Sequence, residues 1–528
     1  MSSVTEESVQ KYLGKLNKSP SLIKLIKRKK NYLLHHDKLS YLHFISTDYP
    51  NATMSDPLDG LVEDKQKKTA ILKRVIAETA ATSTADLFQK IHNVINNDGG
   101  KIEAIILSGG YTNYSYKVFV PGQPDLAVFA KLSFEYALWN PDKSSHYDLQ
   151  RTVCEYEIMN IMAEKVAGSV VAPLACIDIE EEGQKMKVLV TEWSKADEQF
   201  CNQFIDGAVD SRIAPKLAST LATLHAMEFE ADFNEQVKPC MLSLFDQMLA
   251  YVKTTCEDMK PKDRTEKQLV ILGTDLAMEV ANASLADYNK PDCLIHSDSH
   301  VFNIICEAKP SIEELENFGP DGSFVLVDWE MAMAGPKGRD VGLALSFPIG
   351  CMVAHALAGH LDANESINDY IVTLLDSYME CMAKAGKTEE ELASIMRNIP
   401  AWTGWFQFLA FYFLDVQMVN FPCESEHDRK YVKDSMGVLG FKLMRLAYDT
   451  DYFPEGATAE QVKRMILSLV EEEVTETAQE RMLHRRKRVP RKSSMLRATN
   501  RRVSDAMMNF AAADEVARLS SRELSIAE

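Results

Sequence analysis

Two short runs hold the residues whose types and spacing can do chemistry. In CLIHSDSHVFNIIC (293–306) an apolar, strand-like segment runs into His296-Ser297-Asp298, and Asn303 stands five residues beyond that aspartate, before a second apolar segment. An aspartate so placed can accept a hydrogen bond from an attacking hydroxyl, and an amide oxygen at that spacing can serve Mg²⁺. In SFVLVDWEMAMAGPKGRDVG (323–342) Asp328 ends an apolar strand and Glu330 follows two residues on. Positions i and i+2 of an extended segment share a face, so both carboxylates are expected at one metal site. Asp340, after Gly-Arg, is assigned a structural role, capping a helix or bracing the loop around Asp298.

Carboxylates with Mg²⁺ handle phosphates only when something holds the phosphate chain, and two upstream features could do so. SGGYTNYSYKV (108–118) sets Gly109 and Gly110 between two strand-like runs, where the lack of a Cβ lets backbone N–H groups approach an anion. Thr112 and Asn113 would add side-chain donors. Lys131 lies near the end of the alternating strand DLAVFAKLSF (125–134), where it could reach α- and β-phosphates of ATP. The following helix offers Glu155 or Glu157 as its ion-pair partner, and spacing leaves that choice open. The ordered set of glycine hairpin, lysine, helix glutamate, H-x-D-x-x-x-x-N and D-x-E is specific where each member alone is modest.

These parts need a scaffold, and the periodicities supply one. Residues 1–95 read as a helical, partly exposed extension that includes the basic run LIKLIKRKK. Residues 96–192 alternate in strand fashion around one helix, LQRTVCEYEIMNIMAEKV, and predict a mostly antiparallel small lobe that binds nucleotide. Residues 193–475 carry long apolar helical faces, and the aromatic stripe AWTGWFQFLAFYFLDV is expected in the core. Residues 476–528 are basic, serine-containing and broken by proline, which predicts a flexible tail. The fold class expected is α+β, a two-lobed protein-kinase-like fold with a small antiparallel-sheet lobe and a large, mainly helical lobe.

Of 528 residues, 77 are acidic and 58 are Lys or Arg, a net charge of −19. That excess argues against a nucleic-acid or anionic-membrane partner for the folded body. Ten cysteines without a C-x-x-C pair read as reduced, buried residues. The start lacks an apolar core of signal-peptide length, and no run was expected to reach the ~18 apolar residues of a membrane span. The compartment expected is therefore the cytoplasm, with RRKR in the tail able to act as a nuclear signal. RKSS and RRVS place Ser493, Ser494 and Ser504 after arginines, a context in which phosphorylation is conceivable.

From about residue 96 to 455 these motifs resemble the aminoglycoside-phosphotransferase and choline-kinase superfamily. The resemblance implies ATP with Mg²⁺, Asp298 as catalytic residue, and Asn303 and Asp328 as metal ligands. Within it, AKLSFEYALWNPDKSSHYDLQRTVCEYE and WEMAMAGPKGRDVG are most similar to S-methyl-5-thioribose kinase, and the Arg-x-x-x-Glu helix favours Glu155 over Glu157. GFKLMRLAYDTDY resembles a late substrate-binding helix of that family, which nominates Arg445. Where that family usually reads H-G-D-L-H-x-G-S, Ser297 replaces glycine and Asn303 replaces serine. Asp328-Trp329-Glu330 is nearer the D-[FW]-E of choline and ethanolamine kinases. No D-F-G or A-P-E is present, which argues against protein substrates. The acceptor expected is thus a small alcohol or sugar, first methylthioribose, then choline or ethanolamine, with a silent pseudokinase scaffold as the contrasting class and a homodimer left open.

Overall fold

The computed structural model describes residues 58–97, 101–107, 112–136, 146–194, 196, 198–258, 275–307, 323–413, 418–448 and 456–485. The LIKLIKRKK run, Gly109, Gly110, the tryptophan-containing insert 137–145, and Ser493, Ser494 and Ser504 lie outside them. One unit spans Met1–Val474 and a second Thr475–Glu528, whose described residues are helical.

Two helices, α1 (Leu58–Thr82) and α2 (Asp86–Asn97), precede a five-stranded antiparallel sheet of order β1-β2-β3-β5-β4. Its strands are β1 (Glu103–Ile106), β2 (Tyr114–Val120), β3 (Gln123–Phe134), β4 (Pro173–Glu181) and β5 (Gln184–Glu192), with α3 (Gln150–Lys165) inserted between β3 and β4. Burial alternates along β2, as its sequence alternation requires. β4 turns into β5 through Glu182-Gly183, both at positive φ (53° and 78°), the two-residue turn whose twist suits a hairpin. The N-terminal helices pack on this sheet. Ile71, Leu72, Val75, Ile76, Phe88 and Ile91 form one buried cluster with Tyr116, Val118, Val128 and Val188 of the sheet. Arg74 pairs with Glu181 and Lys67 with Glu182 at the β4–β5 turn.

The remainder is mainly helical. After β6 (Glu198–Gln199) come α4 (Cys201–Asp206), α5 (Ile213–His225), α6 (Lys238–Asp258) and α7 (Asp275–Tyr288). Four three-residue strands then frame two loops: β7 (Cys293–Ile295), β8 (Ile304–Cys306), β9 (Phe324–Leu326) and β10 (Met333–Gly335). β7 pairs with β10, while β8 pairs with both β6 and β9. Helices α8 (Arg339–Ala358), α9 (Leu361–Lys384), α10 (Glu389–Trp405), α11 (Glu426–Tyr448) and α12 (Ala459–Arg485) complete the order. The start of α10 is fixed by a capping box, Thr388 and Glu391 each bonding the other's backbone N–H.

Helix α8 corrects one expectation. By length and composition Arg339–Ala358 could cross a membrane, yet 89% of its apolar window is buried inside the protein. Its side chains share the main core with α5, α9, α10 and α11. Ser346, Pro348 and His355 interrupt the apolar run in the sequence; all three are buried in place, Ser346 donating to Gly342 O and His355 Nε2 bonding Phe204 O.

The aromatic stripe is core, as expected: Trp402, Trp405, Phe408, Phe411 and Tyr412 are buried. After Trp405 the backbone widens into a π-helical stretch, Phe406–Phe413. There α10 and α11 approach closely. A Cβ on Gly404 would sit 2.2 Å from Gly440 O, so only glycine permits the contact.

Candidate active site

The short strands explain why two separated sequence runs meet. β8 and β9 pair Ile304 with Leu326, and Val327 N donates to Asn303 O at 2.9 Å. That register puts Asn303, just before β8, beside Asp328, just after β9. The pairing of Ile295 with Met333 brings the loop of Asp298 to the same end.

The loop itself is held from behind by Asp340. Its Oδ2 accepts from His296 N (2.7 Å) and lies 3.0 Å from His225 Nε2, while Oδ1 accepts from Ser297 N (2.8 Å) and Ser299 Oγ (3.2 Å). Burial works to raise this carboxyl, but the His225 hydrogen bond and charge, helped by His296, bring it below its ordinary value. Ser297 sits at φ 69°, a left-handed conformation that favours glycine, and Arg339 Nε binds its carbonyl (3.0 Å) and hydroxyl (3.2 Å) oxygens. The Arg339 guanidinium also lies 4.7 Å from the Trp402 ring centroid and 5.1 Å from that of Tyr288. His296, its pKa lowered by burial, accepts from Asp298 N at Nδ1 and donates from Nε2 to Val327 O.

Asp298 therefore projects from a braced loop. Its side chain is about a third exposed, and its Oδ2 accepts from Asn303 Nδ2 at 3.0 Å. His300 Nε2 stands 3.3 Å from Oδ1.

Lys131 reaches this loop from β3. It is buried, with Glu155 Oε1 and Oε2 both at 3.1 Å, Asp328 Oδ1 at 2.5 Å and Glu330 Oε2 at 3.4 Å. Burial opposes its charge, but three carboxylates outweigh that and raise its pKa. Glu155 moves up because burial outweighs the pull of Lys131. Of the two glutamates that spacing left open, Glu155 is the one at Lys131. Asp328, though 38% exposed, is also raised, by its partial removal from water together with repulsion from Glu330 and Asp298.

Glu330 departs from expectation. Its Oε1 accepts from Thr112 Oγ1 (2.8 Å) and its Oε2 from Asn113 Nδ2 (2.7 Å) and Arg151 Nε (3.3 Å). Burial would raise it, but Lys131 and Arg151 with those hydrogen bonds take it down to about 2. With Oε2 met by Asn113, Arg151 and Lys131 and Oε1 by Thr112, this buried carboxylate is committed to the network rather than open to a metal. The shared-face argument fails because it holds only for extended chain. Asp328 is left-handed (φ 66°, ψ 60°) and Trp329–Met331 is a 3₁₀ turn. Thr112 and Asn113 are corrected with it, since their side-chain donors serve Glu330 rather than a phosphate. Trp329, between the two acids, is fully buried, edge-on to His296.

Asp328 and Asn303 do fit a metal in part. The Asp328 side chain is 38% exposed, and the Asn303 amide N–H group is committed to Asp298, which leaves its oxygen as a hard donor. Among the described residues no three His, Cys, Asp or Glu side chains cluster tightly enough to hold a metal alone. A cation here needs further oxygens, such as those of phosphates. Arg445 lies in the last turn of α11, its guanidinium 5.9 Å from the Phe441 ring centroid.

Sequence reasoning missed three residues that hold these parts together. Arg151, fully buried, binds Glu330, Asn113 Oδ1 (3.0 Å), Phe134 O (3.0 Å) and Tyr147 O (3.0 Å). Asn234, at φ 53°, donates to Glu330 O (3.1 Å) and Ala332 O (2.7 Å). Gln236 bonds Asn234 Oδ1 (2.7 Å) and Cys154 Sγ (3.6 Å), the neighbour of Glu155. Only Arg151 left a local trace, as the first member of Arg-x-x-x-Glu.

No curated protein matches the chain. Among solved structures, a spectinomycin phosphotransferase in complex with ADP and spectinomycin is 14% identical, with 69% of this chain and 98% of that one covered at a TM-score of 0.36. An aminoglycoside phosphotransferase from Alicyclobacillus acidocaldarius is 12% identical, covering 70% and 92%, at 0.36. A thermostable mutant of another aminoglycoside phosphotransferase, with AMP-PNP and hygromycin B, is 11% identical, covering 69% and 100%, at 0.33. A sequence model described as the phosphotransferase enzyme family matches residues 103–368, just over half of the 528, and takes in Lys131, Glu155, Asp298, Asn303 and Asp328. The chain belongs to the phosphotransferase enzyme family.

Proposed function

We propose that this phosphotransferase is an ATP-dependent small-molecule kinase that moves the γ-phosphate to a hydroxyl. The observation that carries the reading is Lys131, held by buried Glu155 and set against Asp328, with Asp298 projecting from a braced loop nearby. Mg²⁺ bound with the nucleotide would neutralise part of the negative charge of the phosphates. Asp328 and the Asn303 amide oxygen would hold it. Lys131 would bind the phosphates, kept in place by Glu155. Asp298, with Asn303 on Oδ2, would orient the acceptor hydroxyl and take its proton at Oδ1. The intact Lys131–Glu155 pair weighs against a silent pseudokinase.

For the acceptor, S-methyl-5-thioribose is the first candidate, on the strength of the G-P-x-G-x-D-x-G run and the tryptophan-containing insert. Choline or ethanolamine would need an aromatic or acidic cage. The aromatics of 402–413 that could have built one are mostly buried in the core, and so is Trp329, which weighs against that alternative. Arg445 is the substrate contact proposed from the late helix. Mg²⁺-ATP consumption with methylthioribose, choline, ethanolamine, homoserine and aminoglycosides, with Asp298→Ala in parallel, tests the reading. It expects one acceptor to stimulate turnover in the wild type and not in the variant. Equal turnover by the two proteins would refute it.

A further inference from the structure

Asp298 has a second neighbour for which the proposed chemistry has not yet found a use. His300 precedes the 3₁₀ turn Val301–Asn303 in extended backbone (φ −70°, ψ 157°). Its side chain is 19% exposed, with Nε2 3.3 Å from Asp298 Oδ1. The other ring nitrogen, Nδ1, is buried and has no hydrogen-bond partner. Two phenylalanines flank the imidazole: Phe302 edge-on with centroids 5.6 Å apart, and Phe406, at the head of the π-helical stretch, inclined at 6.2 Å.

These contacts select one tautomer. With the proton on Nε2, the ring donates toward the Asp298 carboxylate and leaves Nδ1 as a bare acceptor. With the proton on Nδ1, a buried N–H would have no acceptor and Nε2 would point a lone pair at a carboxylate, which is unfavourable twice over. Flipping the ring would turn a C–H toward Asp298 and lose the donor altogether.

We infer that His300 is a positioning residue for Asp298, an imidazole protonated at Nε2, packed against Phe302 and Phe406 and poised to donate to Oδ1 when the acceptor is bound, while Asn303 donates to Oδ2. The inference rests on Asp298 acting on the acceptor hydroxyl, as proposed above. An aspartate this exposed would otherwise sample several rotamers, and a general base out of line by about 1 Å costs on the order of 10²-fold in rate. Two donors from one turn, three residues apart, fix both carboxylate oxygens and leave a lone pair on each for the acceptor. At 3.3 Å the pair is within ion-pair range but not aligned as a hydrogen bond, and such contacts often align only when the acceptor is bound.

Two substitutions separate the donor from the ring. His300→Phe keeps the aromatic packing and removes the donor. His300→Gln removes the ring but can place an amide N–H near the position of Nε2. Full-length proteins are assayed with Mg²⁺-ATP, both with the panel of acceptors and alone, where water is the acceptor. In His300→Phe, kcat is expected to fall about 10–100-fold with KM for ATP unchanged. His300→Gln is expected to stay within about fivefold of wild type. A purely structural role predicts the reverse order, so a Phe variant at wild-type kcat, or a Gln variant slower than the Phe variant, overturns the inference. Nitrogen-15 NMR of histidine-labelled protein, with the His300 signals identified by their loss in His300→Gln, should show the proton on Nε2; a proton on Nδ1 overturns it as well. If Asp298→Ala matches wild type in every assay, the proposed role of Asp298 falls and the positioning role with it. If Asp298→Ala is impaired while His300→Phe is not, only the positioning role falls.

Discussion

Asp328 and Glu330 are two residues apart in sequence and live in different media. Glu330 is 4% exposed and met by Thr112, Asn113, Arg151 and Lys131, whereas Asp328 is 38% exposed and has Lys131 as its described ion-pair partner. The contrast extends to their surroundings. On the sheet side Lys131, Glu155, Arg151 and Glu330 form a dry, saturated network that fixes geometry. On the loop side Asp298 and Asp328 are each about a third exposed and keep lone pairs for a ligand. A buried charge must be fully paired to be tolerated, so such a carboxylate has nothing left to offer a ligand. A site that binds phosphates and a cation needs both kinds of residue, and here the chain changes from one to the other within a single 3₁₀ turn.

The largest expected effect breaks the saturated side. Arg151→Met leaves Glu330 buried with one cation fewer and should cost about 3–5 kcal/mol in urea denaturation; a loss below about 1 kcal/mol would mean the network is not as dry as its burial indicates. The unsaturated side should respond in the opposite currency. Asp298→Asn should lower kcat by about 10³-fold while leaving Tm nearly unchanged, and a large drop in Tm would erase the distinction.

A third test uses pH. Glu330 is depressed to about 2 from an ordinary 4.5, so the folded protein binds fewer protons there than the unfolded chain. Its contribution is complete above the ordinary value and is lost as pH falls through the folded one. The stability of the wild type over Glu330→Gln should therefore shrink between about pH 4.5 and 2; a gap that widens on acidification would contradict the assignment. The smallest effect concerns Ser297. Gly at this left-handed position relieves strain but adds unfolded-chain entropy and loses the Arg339 contact, so Ser297→Gly should lie within about 1 kcal/mol of wild type. Ser297→Val, β-branched, should lose about 2 kcal/mol, as read by thermal unfolding.

What could be read in the sequence divides along the same line. Lys131, the helix glutamate and the Asp298–Asn303 loop announce themselves through strand ends and fixed local spacings, and the structure brings them together. The expectation that Glu330 shares a face with Asp328 came from extending strand periodicity four residues past the end of β9, through a left-handed residue and into a 3₁₀ turn. Asn234 and Gln236 were silent, and Arg151 left only its Arg-x-x-x-Glu trace, because the partners that give them their roles, Glu330 for Arg151 and Asn234 and Cys154 for Gln236, lie 179, 96 and 82 residues away, beyond any periodicity. The packing of α1 and α2 onto the sheet was missed for a related reason. Apolar spacing says that a helix has a face to bury, not which surface receives it.

Helix α8 has a consequence for the protein's birth rather than for its finished state. It emerges from the ribosome as an apolar rod after α5 but before α9, α10 and α11, which complete its enclosure; Leu443 of α11, a core partner, follows Ala358 by roughly 85 residues, or about 4–17 s of synthesis. For that interval the nascent chain presents a segment that membrane-insertion machinery and chaperones are built to seize. Translation speed between residues 358 and 443 should therefore govern how much of this protein reaches its native state.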